Sequence, residues 1–348
     1  MTTIAIVTLG RTKANGEARR VESWRRIIEA SGREAAVVNL VRDHRATPTS
    51  VLRQLPALRR SMPETLAWSA GALCHTLQRV NPDAVIAVTG RAHAANVAKR
   101  WPTILDLVDR LSVSYADRAR RLGGMTIVYE LLAWRARRFE AANGRGAVAA
   151  GRDDAAALGA EWVPNIATDE PMPSVEPTWD LVFVGTLDYQ PNIEAVVRLD
   201  RMWPHLQRAR ADTTLLLAGA RPTDSITRAA SKNGWQVLAD FHSLADVLPR
   251  ARVAVAPLVH ASGIQNKVLD AAAAGMPQVV STVVAGGLDP DFPVRVADDD
   301  ESFVREVVEL LHDPATADAE GERARAHVGD LYAPPRWAAW LEEWLSAR

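Results

Sequence analysis

The chain has 348 residues, 48% of them apolar and 24% charged, and a formal net charge of -1. That length exceeds what one hydrophobic core organises and predicts two domains. The apolar fraction excludes a disordered chain, and the near-neutral balance excludes a general attraction to nucleic acid or an anionic membrane, leaving only local basic patches. A single cysteine, Cys74, excludes an internal disulfide and a cysteine-based zinc site.

Met1 to Gly10 reads as a strand, without the basic start and long apolar run of a signal peptide or membrane span, so a cytoplasmic protein is expected. The β-branched run TIAIVTL is followed by a loop with Gly10 and Gly16 and an amphipathic helix over Glu17–Ala30. Further strands are predicted at EAAVVNL and DAVIAVT, with helical sequence over 50–80 between them, and at PTILDLVD. Helices follow at Ser112–Arg121 and Ile127–Ala142, then short strands in GAVAAG and EWVPN. Strands separated by helices indicate a parallel sheet.

Residues 166–178 (IATDEPMPSVEPT) hold three prolines, several acids and no apolar period, which suits a linker. The alternation then restarts with strand DLVFVG, helix Asn192–Trp203, strand TTLLLAG, helix Ser225–Asn233 and strand WQVLA. It goes on through helix Leu244–Ala251, strand RVAVAPL, helix Ile264–Ala274, strand QVVST and helix Ser302–His312. The fold class expected is α/β, with two Rossmann-like, doubly wound domains. The domains are placed at 1–165 and 179–325, with a last helical segment over 326–348. There Trp337, Trp340 and Trp344 recur at helical spacing and form a stripe that must pack on something.

The chemistry concentrates in RVAVAPLVHASGIQNKVLDAAAAGMPQVVST, residues 252–282: a strand, a loop, a helix closed by Gly275 and a second strand. The loop points to the carboxyl end of the sheet, where open α/β proteins bind ligands. A helix starting near Gly263 presents unpaired N–H groups to an anion. Lys267, one of only four lysines, is expected about one turn into that helix with Asp270 three residues on. A cation followed by a carboxylate suits a diphosphate and then ribose hydroxyls, although an ordinary Lys/Asp helix pair has the same spacing.

The run GIQNKVLDAAAAGMPQVVST resembles the donor-site signature of retaining GT-B glycosyltransferases, the family 4-like or group 1 enzymes. FVGTLDYQPNIEAV, LLLAGARP and FHSLADVLPRARVAVAPL are similar to that group in order and spacing. The resemblance implies two domains facing across a cleft, with the acceptor held by the N-terminal domain, the nucleotide sugar by the C-terminal domain, and the last helix crossing back to the first. The implied activity is retaining, metal-independent transfer of a hexose-type sugar from a nucleoside diphosphate to an acceptor hydroxyl or similar nucleophile. No cofactor is expected beyond the donor cosubstrate. The donor site implied comprises Gly185, Thr186, Ser262, Gly263, Ile264, Gln265, Asn266, Lys267 and Asp270.

Ser262 and Asp270 stand where relatives carry two glutamates, and Lys267 is expected to bear most of the diphosphate charge. Where relatives carry Asp-x-His-Asp, this chain has Asp106, Leu107, Val108 and Asp109. Asp106 and Asp109 are candidates to bind or deprotonate the acceptor, or else to cap the next helix, and His93 is a candidate substitute for the missing histidine. Gly10, Arg11, Gly16 and Asp109 are candidate acceptor contacts. The triplet Asp298, Asp299 and Asp300 precedes a helix and reads as its cap, so no metal is expected. The arginines at 118–121 and 135–138 read first as solvated helix faces, the other reading being contact with an anionic acceptor or a peripheral membrane surface. The same resemblance also admits a GT-B nucleotide-sugar epimerase, and Ser262 with Val108 admits a non-catalytic nucleotide-sugar-binding subunit.

Overall fold

A computed structural model describes residues 2–9, 16–40, 70–89, 97–121, 126–239 and 241–348. The chain divides into two compact units: 1–166 together with 334–348, and 167–333.

In the first unit, β1 (Thr3–Thr8), β2 (Glu34–Asn39), β3 (Ala84–Val88), β4 (Thr103–Val108), β5 (Ala147–Ala149) and β6 (Glu161–Trp162) form a parallel sheet in the order β2-β1-β3-β4-β5-β6. All five residues of β3 are buried, as a central parallel strand covered on both faces requires. The described helices are α1 (Gly16–Ala30), α2 (Ala70–Val80), α3 (Leu111–Arg121), α4 (Thr126–Asn143) and α5 (Arg152–Leu158). Glu17, in the first turn of α1, accepts hydrogen bonds from Thr8 Oγ1 (2.6 Å) and Leu9 N (2.9 Å) and ties the helix to the end of β1. The short α5 was not expected from the sequence; it lies between Gly151 and the left-handed Gly159.

The second unit contains β7 (Trp179–Val184), α6 (Gln190–Ala209), β8 (Leu215–Ala218), α7 (Asp224–Asn233), β9 (Gln236–Leu238) and β10 (Ala251–Ala256). It continues with α8 (Asn266–Ala273), β11 (Gln278–Val280), α9 (Thr282–Ala285), β12 (Arg295–Val296), α10 (Asp300–His312) and α11 (Pro314–Leu331). Its strands lie parallel in the order β9-β8-β7-β10-β11-β12. Pro191 in the first turn starts α6, where a missing N–H costs nothing. Asp299 caps α10 by accepting from Ser302 N at 2.7 Å, as its position in the sequence suggested.

The expected helix over Leu244–Ala251 is instead two 3-10 turns, Leu244–Asp246 and Leu248–Arg250. Pro249 has no N–H to donate to the preceding turn and its ring crowds that turn, which disfavours a continuous α-helix over these residues. The end of the chain also differs. The expected segment over 326–348 begins inside α11, and a separate helix α12 (Pro334–Ser346) follows, because Pro334 disfavours helical geometry at the residue before it.

Helix α12 packs within the first unit. Trp337 meets Trp162 edge-on at 5.7 Å, Trp340 lies 6.2 Å from Trp24, and Arg33 forms a two-pronged ion pair with Glu342 at 2.6 and 2.8 Å. Trp337 and Trp340 of the tryptophan stripe lie on the docking face of this helix, while Trp344 carries Arg348 over its ring.

Candidate nucleotide-sugar site

In the second unit the chain leaves β7 toward β8 on one side, and later returns through β10 on the other. The crevice above β7 and β10 is therefore the topological switch point, where an open parallel sheet accepts a ligand. Two segments line it: the turn after β7, containing Gly185 and Thr186, and the loop after β10 that leads into α8.

The turn is fixed by backbone bonds to the neighbouring strand, Gly185 N to Ala218 O (3.0 Å) and Leu187 N to Ala220 O (2.8 Å). A side chain at Gly185 would put its Cβ 2.6 Å from Asn192 Nδ2 and 3.0 Å from Lys267 Nζ. Glycine is what lets those two side chains come up against the backbone. In the second segment Gly263 adopts the left-handed conformation at φ +64° and turns the chain into α8.

Helix α8 starts at Asn266 rather than near Gly263, which places Lys267 at its second residue and not a full turn inside. Gln265 precedes it without a side-chain cap. The cation is thus closer to the positive end of the helix than expected, a position that favours an incoming anion.

Lys267 Nζ donates to Asn192 Oδ1 at 2.7 Å and lies 4.3 Å from the centre of the Phe183 ring. Asn192 Nδ2 donates to the Thr186 carbonyl at 2.9 Å, so one buried amide joins the Gly185 turn to the lysine. Lys267 as a residue is half-buried, with its ammonium held between the Asn192 amide and the Phe183 ring. Desolvation there pushes the pKa from 10.5 down to about 7. Its two direct partners are uncharged. A diphosphate in the crevice would restore the positive charge.

Ser262, Gln265 and Asn266 are half-buried and Ile264 is buried. Gln265 Nε2 reaches back to the Ser262 carbonyl at 3.2 Å. Asp270 is buried on α8, one helical turn after Lys267. Asn192 and Phe183 were not singled out from the sequence. Pro191-Asn192 was visible there as a helix start, but nothing local marks the asparagine side chain as the partner of a lysine 75 positions away.

In the first unit Asp106 is not available as a base. It is fully buried, and its Oδ2 accepts from Arg20 Nε (2.5 Å) and Trp24 Nε1 (2.6 Å) while Oδ1 accepts from Val108 N (2.8 Å). Both oxygens are committed inside the core, so this candidate is corrected to an anchor. Val108, a β-branched residue, is held at φ +65° immediately after it. Such a conformation costs on the order of 1–3 kcal/mol and persists only where its surroundings enforce it. Asp109 lies half-buried just beyond, and Gly16 is the exposed first residue of α1. Gly10, Arg11 and His93 lie outside the described residues.

Residues 178–313 match the family model for "Glycosyl transferases group 1". No curated protein matches the sequence. Among solved structures, sucrose-phosphate synthase from Thermosynechococcus elongatus is similar over 99% of this chain and 98% of its own, at 14% identity and a TM-score of 0.67. HepE from Anabaena, solved in complex with UDP-glucose, covers 100% of both chains at 11% identity and a TM-score of 0.65. WaaG, a glycosyltransferase involved in lipopolysaccharide biosynthesis, covers 97% of this chain and 99% of its own at 14% identity and a TM-score of 0.61.

The two-unit α/β fold is the GT-B fold of these solved structures, and residues 178–313 are similar to group 1 glycosyl transferases. More particularly, that match falls within the second unit and includes the crevice that holds Gly185 and Lys267.

Proposed function

We propose that the protein transfers a hexose-type sugar from a nucleoside-diphosphate sugar to an acceptor hydroxyl, with retention of configuration and without a metal ion. The observation that carries this reading is Lys267: a desolvated ammonium with uncharged partners, at the start of α8 and 3.0 Å from where a Cβ on Gly185 would sit. Such a cation is suited to the diphosphate, whose negative charge grows as the glycosidic bond to the sugar breaks. Electrostatic help at the leaving group then lowers the barrier more than it strengthens ground-state binding.

In this reading Thr186 and the backbone of 262–266 surround the diphosphate and sugar, and Asp270 accepts the ribose hydroxyls. The first unit supplies the acceptor site, with Gly10, Arg11, Gly16 and Asp109 as candidate contacts and His93 as a candidate base. HepE was solved with UDP and with UDP-glucose, which supports a nucleotide sugar as the donor class for this chain too.

The test is release of nucleoside diphosphate from a panel of nucleotide hexoses in the presence of a chelator, with and without candidate acceptors, and the anomeric configuration of the product read by NMR. Acceptor-dependent release with a retained anomer is expected. An isomerised sugar nucleotide formed without acceptor would instead establish an epimerase.

A further inference from the structure

Among the described residues, twelve large hydrophobic side chains are exposed, and four of them fall on α4: Ile127 (82% exposed), Leu131 (62%), Val128 (50%) and Trp134 (44%). The other eight are scattered singly, as on any soluble surface. On α4 the positions Ile127, Leu131, Trp134 and Arg138 are spaced four, three and four residues apart, so they make one continuous row along the helix. The opposite side, with Ala133, Ala136 and Phe139, is buried against Leu107 and Tyr115. The helix therefore has two apolar sides, and the fold covers only one.

The uncovered row is set among arginines. Arg138 lies over the Trp134 ring, its guanidinium carbon 4.9 Å from the centroid, and Arg137 is exposed beside it. On the adjoining α3, Arg118 is exposed, and Arg120 is exposed while paired with Asp117. Glu130 is the only exposed acid among the described residues of the two helices, because Glu140 points inward and accepts from Ser112 N at 2.8 Å. Apolar side chains in a row, with a tryptophan and basic residues at the margins, are the composition that seats a helix in the headgroup region of a bilayer. Lying in the interface also suits the length and polarity of α4, since no helix among the described residues is long and apolar enough to cross a membrane. An isologous pairing of this face with a second copy would bring two arginine-rich surfaces together.

We propose that the outer face of α4, flanked by α3, docks on an anionic membrane surface. Ile127, Val128, Leu131 and Trp134 enter the headgroup region, and Arg118, Arg137 and Arg138 meet lipid phosphates. The proposal is independent of the donor-site reading.

The test is co-sedimentation of the full chain with vesicles of phosphatidylcholine alone or rich in phosphatidylglycerol. Wild type, Leu131→Glu/Trp134→Glu, Arg137→Glu/Arg138→Glu, and Val197→Glu as a control exposed apolar site on the other unit are compared, all checked for unchanged thermal melting. We expect binding to anionic vesicles only, weakened by salt, reduced at least about tenfold by the apolar pair and several-fold by the arginine pair, and unaffected by Val197→Glu. Equal binding to neutral vesicles, no binding to either, or full binding by Leu131→Glu/Trp134→Glu would overturn it. So would a wild-type dimer that Leu131→Glu/Trp134→Glu dissociates, which would make a second copy the occupant.

Discussion

Each unit draws basic side chains away from water, and two of them, Arg20 and Lys267, are treated differently. Arg20, in the first unit, is fully buried and neutralised by Asp106, and its Nη1 also reaches the Val163 carbonyl (2.7 Å), the Pro164 carbonyl (3.0 Å) and Asn165 Oδ1 (3.2 Å). Lys267, in the second unit, has an amide oxygen and an aromatic face instead of a carboxylate. A cation whose counter-ion is built in serves the fold. One whose counter-ion is left out is poised for a ligand that brings it. On the proposed reading, burial of charge makes an anchor of Arg20 and a binding group of Lys267.

The largest effect should come from breaking the anchor. Asp106→Ala leaves the Arg20 guanidinium buried and unbalanced, and a loss of about 3–5 kcal/mol is expected, read as a lower denaturation midpoint. Lys267→Ala should do the reverse in kind: donor-nucleotide affinity falls at least about a hundredfold, since a charged contact to the diphosphate goes, while the fold stands. Lys267→Met should raise the thermal midpoint of the free protein by a few degrees because a poorly solvated ammonium is removed. A fall of that midpoint would contradict the contrast with Arg20.

A smaller effect isolates the geometry. In Gly185→Ala the new methyl meets the ends of two flexible side chains, Asn192 and Lys267, and not backbone. Near-normal melting with roughly tenfold weaker nucleotide binding is expected by calorimetry and thermal denaturation. Loss of the fold would mean the turn itself needs glycine.

The mildest probe is pH. Lys267 has a folded pKa of about 7, below its usual 10.5, so its burden on the free fold is greatest below pH 7 and disappears as pH rises toward 10.5. On the proposed reading a diphosphate binds the protonated form, so affinity should weaken by up to about tenfold per unit above about pH 7. Binding at pH 8 should be accompanied by proton uptake, seen as a dependence of the calorimetric heat on the buffer. Lys267→Ala should lack that uptake.

The sequence carried the parallel alternation, the donor-like run over 252–282 and the cap at Asp299, because these are local signals: period, glycine turns and capping residues. It missed α11, although Asp313 before Pro314 is a start signal and Asp313 Oδ1 accepts from Thr316 N at 3.1 Å. The alanines, glycine and charges that follow show no clear apolar period. It could not show Asn192 beside Lys267 or Arg20 beside Asp106, since those pairs are 75 and 86 residues apart. Asp106 looked catalytic for the same reason. Its position at a strand end was visible, and the arginine that occupies it was not.

The most direct test of the central claim is a calorimetric titration of wild type and Lys267→Ala with UDP, GDP, ADP and dTDP in the presence of a chelator. The account predicts selective binding of one nucleotide by the wild type, abolished or weakened at least about a hundredfold in the variant. Binding that survives in Lys267→Ala, or none of the four bound by the wild type, would contradict it.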